Sequence, residues 1–366
     1  MASLLERLSS EGTLTENEFL TLYRSRESID RAVLQEMASE ARASTYGNRV
    51  FLRALIECTS FCRSDCFYCG IRKSNRSLTR YRLSPEEVVS AAERAYENGF
   101  RTFVMQGGED PVFVNHLPSI IAEIKKRCPD AAVTLSFGEW EDERYGEWKD
   151  CGADRYLLRH ESAGEKHFSL LHPENQKLSS RLSCLRSLRS MGYQVGAGFM
   201  VGSPYQRDED IARGLLFLTT FRPDMIGIGP FIPHGATPFS TFPSGSVSDT
   251  IFLLSIIRIA MPEVLLPATT ALATLSEHGV RDALMAGANV IMPNATPSGR
   301  DRGYALYNGK KRQSLGEALI NEIEQAGCHI DMARGDRITD GEGFLTRKER
   351  RNVRSEINVS RGFHQR

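Results

Sequence analysis

Apolar and polar positions follow two regimes along the chain. Up to residue 45 the spacing is helical. Thr15, with Glu18 three residues on, forms a capping-box pattern, and Ile29, Val33, Leu34 and Met37 recur at helical intervals. No strand signal precedes Arg49. Short aliphatic and β-branched runs then begin, predicting strands over 50–56, 100–105, 132–137, 153–158, 194–201, 225–231, 264–270 and 288–292. Between them lie amphipathic stretches such as 179–191, 207–220 and 248–259, and 315–326 supplies a last helix. Ser84-Pro85-Glu86-Glu87 marks a helix start, with Ser as N-cap, Pro at the first helical position and Glu at the third; that helix should stop at Gly99.

Eight strand–helix units predict an α/β fold with a parallel sheet. An open doubly wound sheet would show the same alternation. A closed (β/α)8 TIM-type barrel is favoured, because Gly and polar residues recur just after the strands, where a barrel places its site. They include Gly107-Gly108-Glu109-Asp110, Gly138-Glu139, Arg159-His160-Glu161, Gly202-Ser203, Pro233-His234, Thr269-Thr270 and Pro293-Asn294. The expected organisation is an N-terminal helical segment (1–45), the barrel (46–330) and a C-terminal extension (331–366). From 347 to 366 the extension carries seven Arg or Lys against two Glu and almost no apolar residues, which reads as a solvated, disordered tail rather than a nucleic-acid arm.

Composition narrows the class. Of 366 residues 41% are hydrophobic and 25% charged, so a core can form and a disordered chain is excluded. Forty-six basic residues balance 46 acidic ones, which argues against a general polyanion-binding surface. The longest apolar stretch, 250–261, is too short for a bilayer and contains Arg258. The first residues lack the basic and apolar regions of a signal peptide, so a cytoplasmic protein without membrane contact is expected.

Eight cysteines in such a chain are not a disulfide framework. Cys58, Cys62, Cys66 and Cys69 crowd into twelve residues, while Cys128, Cys151, Cys184 and Cys328 are scattered. Cys58 on its strand reads as a small buried hydrophobe, and Cys128, Cys151 and Cys184 as helix packing. Cys62, Cys66 and Cys69, spaced C-x3-C-x2-C after the first strand, can converge on one metal centre. Structural zinc takes four ligands, and no second pair at zinc spacing is visible. A four-iron cluster also takes four cysteines. Three leave one iron open to an external chelate, such as an amino acid's amino and carboxylate groups.

That spacing, with Tyr68 before the third cysteine on the first strand-loop of an eight-strand chain, resembles the radical S-adenosylmethionine (SAM) superfamily. The resemblance implies an enzyme with one [4Fe-4S] cluster on Cys62, Cys66 and Cys69 and SAM on the open iron. An electron cleaves the sulfonium and gives a 5′-deoxyadenosyl radical that attacks substrate inside the barrel. Segments 62–72 (CRSDCFYCGIR), 80–82, 106–111 (QGGEDP), 135–140 (LSFGEW), 153–161 (ADRYLLRHE), 196–202 (GAGFMVG), 224–234 (DMIGIGPFIPH), 267–271 (PATTA) and 287–297 (GANVIMPNATP) are similar to the HydE-type maturases of [FeFe]-hydrogenase. By that resemblance Tyr68, Gly107, Gly108, Glu109, Thr134, Ser136, Glu161 and Arg181 contact SAM. Arg159, Thr269, Thr270 and Tyr307 contact substrate. Adenine lies near the 196–202 glycines and Ile228-Gly229.

Each residue also has a plainer reading: a tight turn for Gly107-Gly108, a buried ion pair for Arg159 and Glu161, a surface side chain for Arg181, and ordinary strand or turn residues for the threonines. His160, between the two inward residues, should face the helix layer; His234 is left open. The resemblance further implies a small, iron-bound, sulfur-containing substrate delivered by a partner maturase, and a reductant such as ferredoxin or flavodoxin. No further cysteines fall on the predicted strands to hold a second, biotin-synthase-like cluster. The three cysteines that some HydE-type chains carry after the eighth strand are also missing, since only Cys328 lies beyond residue 184. Two alternatives are a methylornithine-synthase-like enzyme, whose cysteine loop lacks the Gly-Ile-Arg continuation, and a metal-bearing binding module without catalysis.

Overall fold

In the computed structural model, which describes residues 2–299 and 303–338, the ring of strands closes on itself. Helices α1 (Ala2–Glu11), α2 (Glu16–Arg24) and α3 (Arg31–Tyr46) precede β1 (Arg49–Leu52) and β2 (Ala54–Thr59). Next come α4 (Pro85–Glu97), β3 (Thr102–Gly107), α5 (Leu117–Arg127), β4 (Ala132–Ser136), α6 (Asp142–Asp150) and β5 (Arg155–Leu157). The middle of the chain forms α7 (Glu165–Leu171), α8 (Leu178–Ser190), β6 (Gln194–Ala197), β7 (Met200–Val201), α9 (Asp208–Phe221), β8 (Met225–Ile226) and β9 (Gly229–Pro230). It ends with α10 (Val247–Ala260), α11 (Thr270–Leu275), α12 (Gly279–Met285), β10 (Val290–Ile291), α13 (Glu317–Gln325) and β11 (His329–Asp331). Both expected capping boxes form, Thr15 with Glu18 and Ser84 with Glu87.

All barrel pairings are parallel, in the order β2-β3-β4-β5-β6-β8. From β8, Met225 pairs with Leu265 and Pro267 with Val290; β10 then pairs with β1, and Leu55 with Asn294. β1 and β2 are one strand interrupted at Arg53, so eight strands close the ring.

The seventh strand is thinner than its apolar run suggests. It is held by single bridges, and Thr269 and Thr270 belong instead to the start of α11, Thr269 as N-cap. The sixth and fifth strand positions are broken as well. Gly198 separates β6 from β7 at φ 151°, and a Cβ there would lie 2.0 Å from the Gly227 carbonyl oxygen. That glycine serves close approach between two broken strands.

The main core lies between the ring and its helices. α10 is buried over 250–260 because α3 packs across it, which explains an apolar run too short for a bilayer. Among the described residues no helix is long and apolar enough to cross a membrane. Val104, Leu157, Met225, Leu265, Val290 and Met292 fill the ring itself, leaving a cavity of about 30 Å³ beside Arg53 and Thr134.

The N-terminal end of the barrel is closed by residues with no sequence signal. β11 adds beside β1, and the chain then crosses the opening. Fully buried Arg155 donates to Asp336 at 2.6 Å, Gln194 Oε1 at 2.9 Å, Thr102 Oγ1 at 3.0 Å and the Arg334 carbonyl at 3.0 Å. Arg337 reaches Asp224 and Glu263. The basic segment 347–366 lies outside the described residues.

Candidate functional site

The cysteine loop rises from the C-terminal end of β2 and is tied by its own polar residues. The Arg80 guanidinium donates to the carbonyls of Ser60, Ile71, Arg72 and Asn75, gathering the loop onto one cation. Asp65 accepts from Arg72 Nε at 2.8 Å and from Ser74 N and Oγ at 2.9 and 2.7 Å, and these bonds hold its carboxyl well below the usual range. Gly70 and Gly108 are contact points. A Cβ on Gly70 would meet the Ala305 carbonyl oxygen at 2.0 Å, and one on Gly108 the Phe61 oxygen at 2.2 Å and Cys62 Cβ at 2.7 Å.

Cys62, Cys66 and Cys69 are all free and half-buried. Burial pushes the Cys62 thiol up to about 11 and the Cys69 thiol to about 12, and Cys66 is also raised. The next cause is mutual: Cys69 and Cys62 raise Cys66, Cys62 raises Cys69, and Glu109 raises Cys62. Three thiols that penalise one another's ionisation are neighbours, and an iron centre would relieve that penalty. Among the described residues no His, Cys, Asp and Glu set converges as tightly as a single metal ion needs. A four-iron cluster seats each thiolate on a separate iron and spreads the sulfurs, so this donor set fits the cluster better than zinc.

The strand ends surround this loop. Glu109 is consumed within it: Oε2 accepts from Ser64 Oγ at 2.6 Å and Arg63 Nε at 3.3 Å, and Oε1 from Glu139 N at 3.1 Å. Gly138, at φ 79°, leaves room for that carboxylate, which a Cβ would meet at 2.2 Å. Arg181 is buried, contrary to the plain surface reading, and donates to Glu139 Oε1 at 2.5 Å and the Arg159 carbonyl at 2.7 Å. Burial works most strongly against its charge, but Glu139, Tyr68 and Cys66 together outweigh that and raise its pKa. Tyr68 is hydrogen-bonded to His172 Nε2 at 3.2 Å.

Arg159 and Glu161 form an ion pair at 3.0 Å, as in their plainer reading. Glu161 sits at φ 60°, a left-handed conformation costly for a non-glycine residue. His160 between them packs against Phe199 and Phe217 and accepts from Gly198 N, as expected of a helix-layer histidine; burial depresses its pKa to about 3. His234 lies beside Gly70.

The Thr134 hydroxyl, beside the ring cavity, and the Thr269 hydroxyl, at the start of α11, are buried without a hydrogen-bond partner among the described residues. Ser136 and Thr270 are half-buried. Tyr304 is buried and accepts from Gln106 Nε2 at 3.1 Å, while half-buried Tyr307 is pushed up to about 12 by burial. Gly107 faces Thr59 and Phe137. Cys58 is fully buried, and Cys184 lies within α8; Cys128 and Cys151 cap α5 and α6 rather than lying inside them.

Several buried or half-buried polar residues in and around the ring escaped the sequence reading. Arg53 interrupts an apolar strand and points into the cavity. It donates to Met225 Sδ and the Gly335 carbonyl, its Nε lacks a partner, and burial and then Arg155 push its pKa down. Fully buried Glu57 pairs with Lys310 and accepts from Asn294. Gln176 touches Cys66 and Ser64. Arg53 and Glu57 were readable as charges at alternate strand positions; Gln176 carries no pattern.

A family model for the radical SAM superfamily matches residues 56–218. The chain is 46% identical over 278 residues to the [FeFe] hydrogenase maturase subunit HydE of Thermotoga maritima, covering 76% of this chain and 79% of that one. It is 26% identical over 332 residues to 3-methylornithine synthase of Methanosarcina barkeri, covering 89% and 93%. The crystal structure of methylornithine synthase shares the fold with a TM-score of 0.74 at 22% identity, over 96% of this chain and 99% of that chain. The closed parallel barrel, the three-thiol loop and the 46% identity together assign the chain to the HydE family of [FeFe]-hydrogenase maturases, radical SAM enzymes that use a [4Fe-4S] cluster and SAM.

Proposed function

We propose that this HydE-type enzyme acts on a small, anionic, sulfur-containing and iron-bound substrate, a precursor of the hydrogenase di-iron centre handed over by a partner maturase. The observation that carries the substrate class is the polar set at the C-terminal strand ends: the Arg159 guanidinium after β5, 33% exposed and held by Glu161, and the partnerless hydroxyl of Thr269 at the start of α11. A cation and a hydroxyl donor without an acceptor favour an anion with several acceptor atoms.

Cys62, Cys66 and Cys69 would hold the cluster. When bound, cluster and SAM supply reductive C–S cleavage and a carbon radical. The chain's own residues do the rest. Tyr68, Gly107, Gly108, Glu161 and Arg181 line the SAM side, and Glu109 and Ser136 support it. Arg159, Thr269, Thr270 and Tyr307 face the substrate. Arg159, a third exposed and oriented by Glu161 at 3.0 Å, is the anion-binding group after β5. The segment after β10 covers the mouth: Gly70 N donates to the Leu306 carbonyl and Asn308 N to the Pro233 carbonyl, both within 3.0 Å. That cover excludes water from a reactive intermediate. The electron comes from a one-electron carrier such as ferredoxin or flavodoxin.

The test is anaerobic reconstitution with iron and sulfide, then SAM and dithionite, with and without iron-bound cysteine. Stimulated 5′-deoxyadenosine formation is expected for the native protein. Cys66→Ala should give none while keeping the native far-ultraviolet dichroism. Native yield from Cys66→Ala would overturn the assignment of the loop, and stimulation by ornithine or lysine instead would favour a methylornithine-synthase-like substrate.

A further inference from the structure

Gln176 lies between α7 and α8, in a loop folded back so that its N–H donates to the Pro173 carbonyl at 2.9 Å. Its carboxamide meets the cysteine loop at two points. The Cys66 thiol donates to Oε1 at 3.4 Å, and Nε2 donates to Ser64 Oγ at 3.0 Å. Ser64 Oγ in turn donates a hydrogen bond to Glu109 Oε2 at 2.6 Å, and that carboxylate also accepts from Arg63 Nε and Glu139 N.

The direction of these bonds follows from where the protons are. A cysteine that binds iron is a thiolate and has no proton to give. An amide oxygen facing it would set two acceptors against each other. A carboxamide is nearly symmetric in shape, so a half-turn about its last bond exchanges oxygen for nitrogen without a steric demand. Nε2 then donates to Cys66 Sγ. Oε1 faces Ser64, whose hydroxyl rotates to donate to it, and Glu109 keeps Arg63 and Glu139 N–H. Every polar group stays satisfied.

We propose that Gln176 donates a hydrogen bond to the Cys66 sulfur in the cluster-loaded protein and so raises the cluster's reduction potential. Reduction adds a negative charge that spreads onto the ligand sulfurs, and a donor to one of them stabilises the reduced state more than the oxidised one. Gln176 is a positioning residue that acts through Cys66. Arg181 is also close enough to favour charge on Cys66, but its contribution is common to all the variants below. The inference rests on the three cysteines holding a [4Fe-4S] cluster, and iron content tests that premise separately.

Full-length protein and the Gln176→Leu and Gln176→Glu variants are reconstituted anaerobically, assayed for iron, and titrated with dithionite and mediators while the reduced cluster is followed by electron paramagnetic resonance. Iron per chain should match the native protein. At a fixed solution potential the ratio of reduced to oxidised cluster should fall about tenfold in Gln176→Leu, a midpoint about 59 mV lower for a one-electron couple. It should fall further in Gln176→Glu, which sets a carboxylate against the thiolate. Native iron content with an unchanged or higher midpoint would overturn the proposal. So would loss of iron in both variants, because Gln176 would then be needed to assemble the loop and not to set its potential.

Discussion

Replacing Gly108 by Ala tests how the strand ends hold the cysteine loop. The added Cβ would sit 2.2 Å from the Phe61 carbonyl oxygen and 2.7 Å from Cys62 Cβ, whereas ordinary contacts begin at 3.4 Å. Both obstacles belong to the loop backbone or lie next to it, so no flexible side chain can swing aside. The loop must move by about 1 Å, and a displacement of that size at a reacting centre costs on the order of 100-fold in rate. The strain is local, comparable to overpacking of about 1–3 kcal/mol, and the barrel should survive it. Expected results are native dichroism, reduced iron per chain after anaerobic reconstitution, and 5′-deoxyadenosine formation about two orders of magnitude lower. Full iron loading with native 5′-deoxyadenosine yield would refute the idea that this glycine sets the position of Cys62.

Other predictions concern the barrel floor and the ion pair at its mouth. Asp336→Ala leaves fully buried Arg155 with only neutral acceptors. Because Asp336 is 38% exposed, the full penalty for breaking a buried pair does not apply, and urea unfolding should show a loss of roughly 2 kcal/mol. The same pair predicts a pH dependence. Burial would raise the Asp336 carboxyl, but Arg334 and Arg155 outweigh it and hold it at about 2, below its value in an unfolded chain. Its contribution is therefore complete above about pH 4 and is lost as pH falls toward 2. The native protein should show a steeper acid limb than Asp336→Ala, and identical limbs would contradict the pairing. Glu161→Gln keeps the shape but removes the charge beside Arg159. The KM for SAM should rise roughly tenfold, the value of one charge-assisted hydrogen bond, and an unchanged KM would separate Glu161 from SAM.

The fold was legible wherever local pattern and local burial agree. The Ser84-Pro85-Glu86-Glu87 helix start, the strand–helix alternation and the run of Gly and polar residues after the strands all come from residues whose neighbours in sequence are their neighbours in space. The broken strands were not legible, because the reason for Gly198 is the Gly227 carbonyl of another strand. Nor was the floor. Arg155 and Asp336 are 181 positions apart, and a single long-range ion pair leaves no periodic trace. At the site, the cysteine spacing announced its own chemistry, and the Arg159–Glu161 alternation placed two charges close enough to pair. The supporting shell was hidden. Glu109 turned out to brace Ser64, Arg63 and Glu139, and Arg181 a buried partner of Glu139, because which acceptor a side chain finds depends on packing across several strands.

The most direct measurement is electron paramagnetic resonance of the anaerobically reconstituted, dithionite-reduced protein, recorded before and after adding SAM. A chain whose three thiols hold an incomplete cubane should give a reduced four-iron signal at about four irons per chain. That signal should shift when SAM takes the open iron, and both signal and shift should vanish together in Cys66→Ala. Retention of zinc without iron, or a four-iron signal that SAM leaves untouched, would contradict the account.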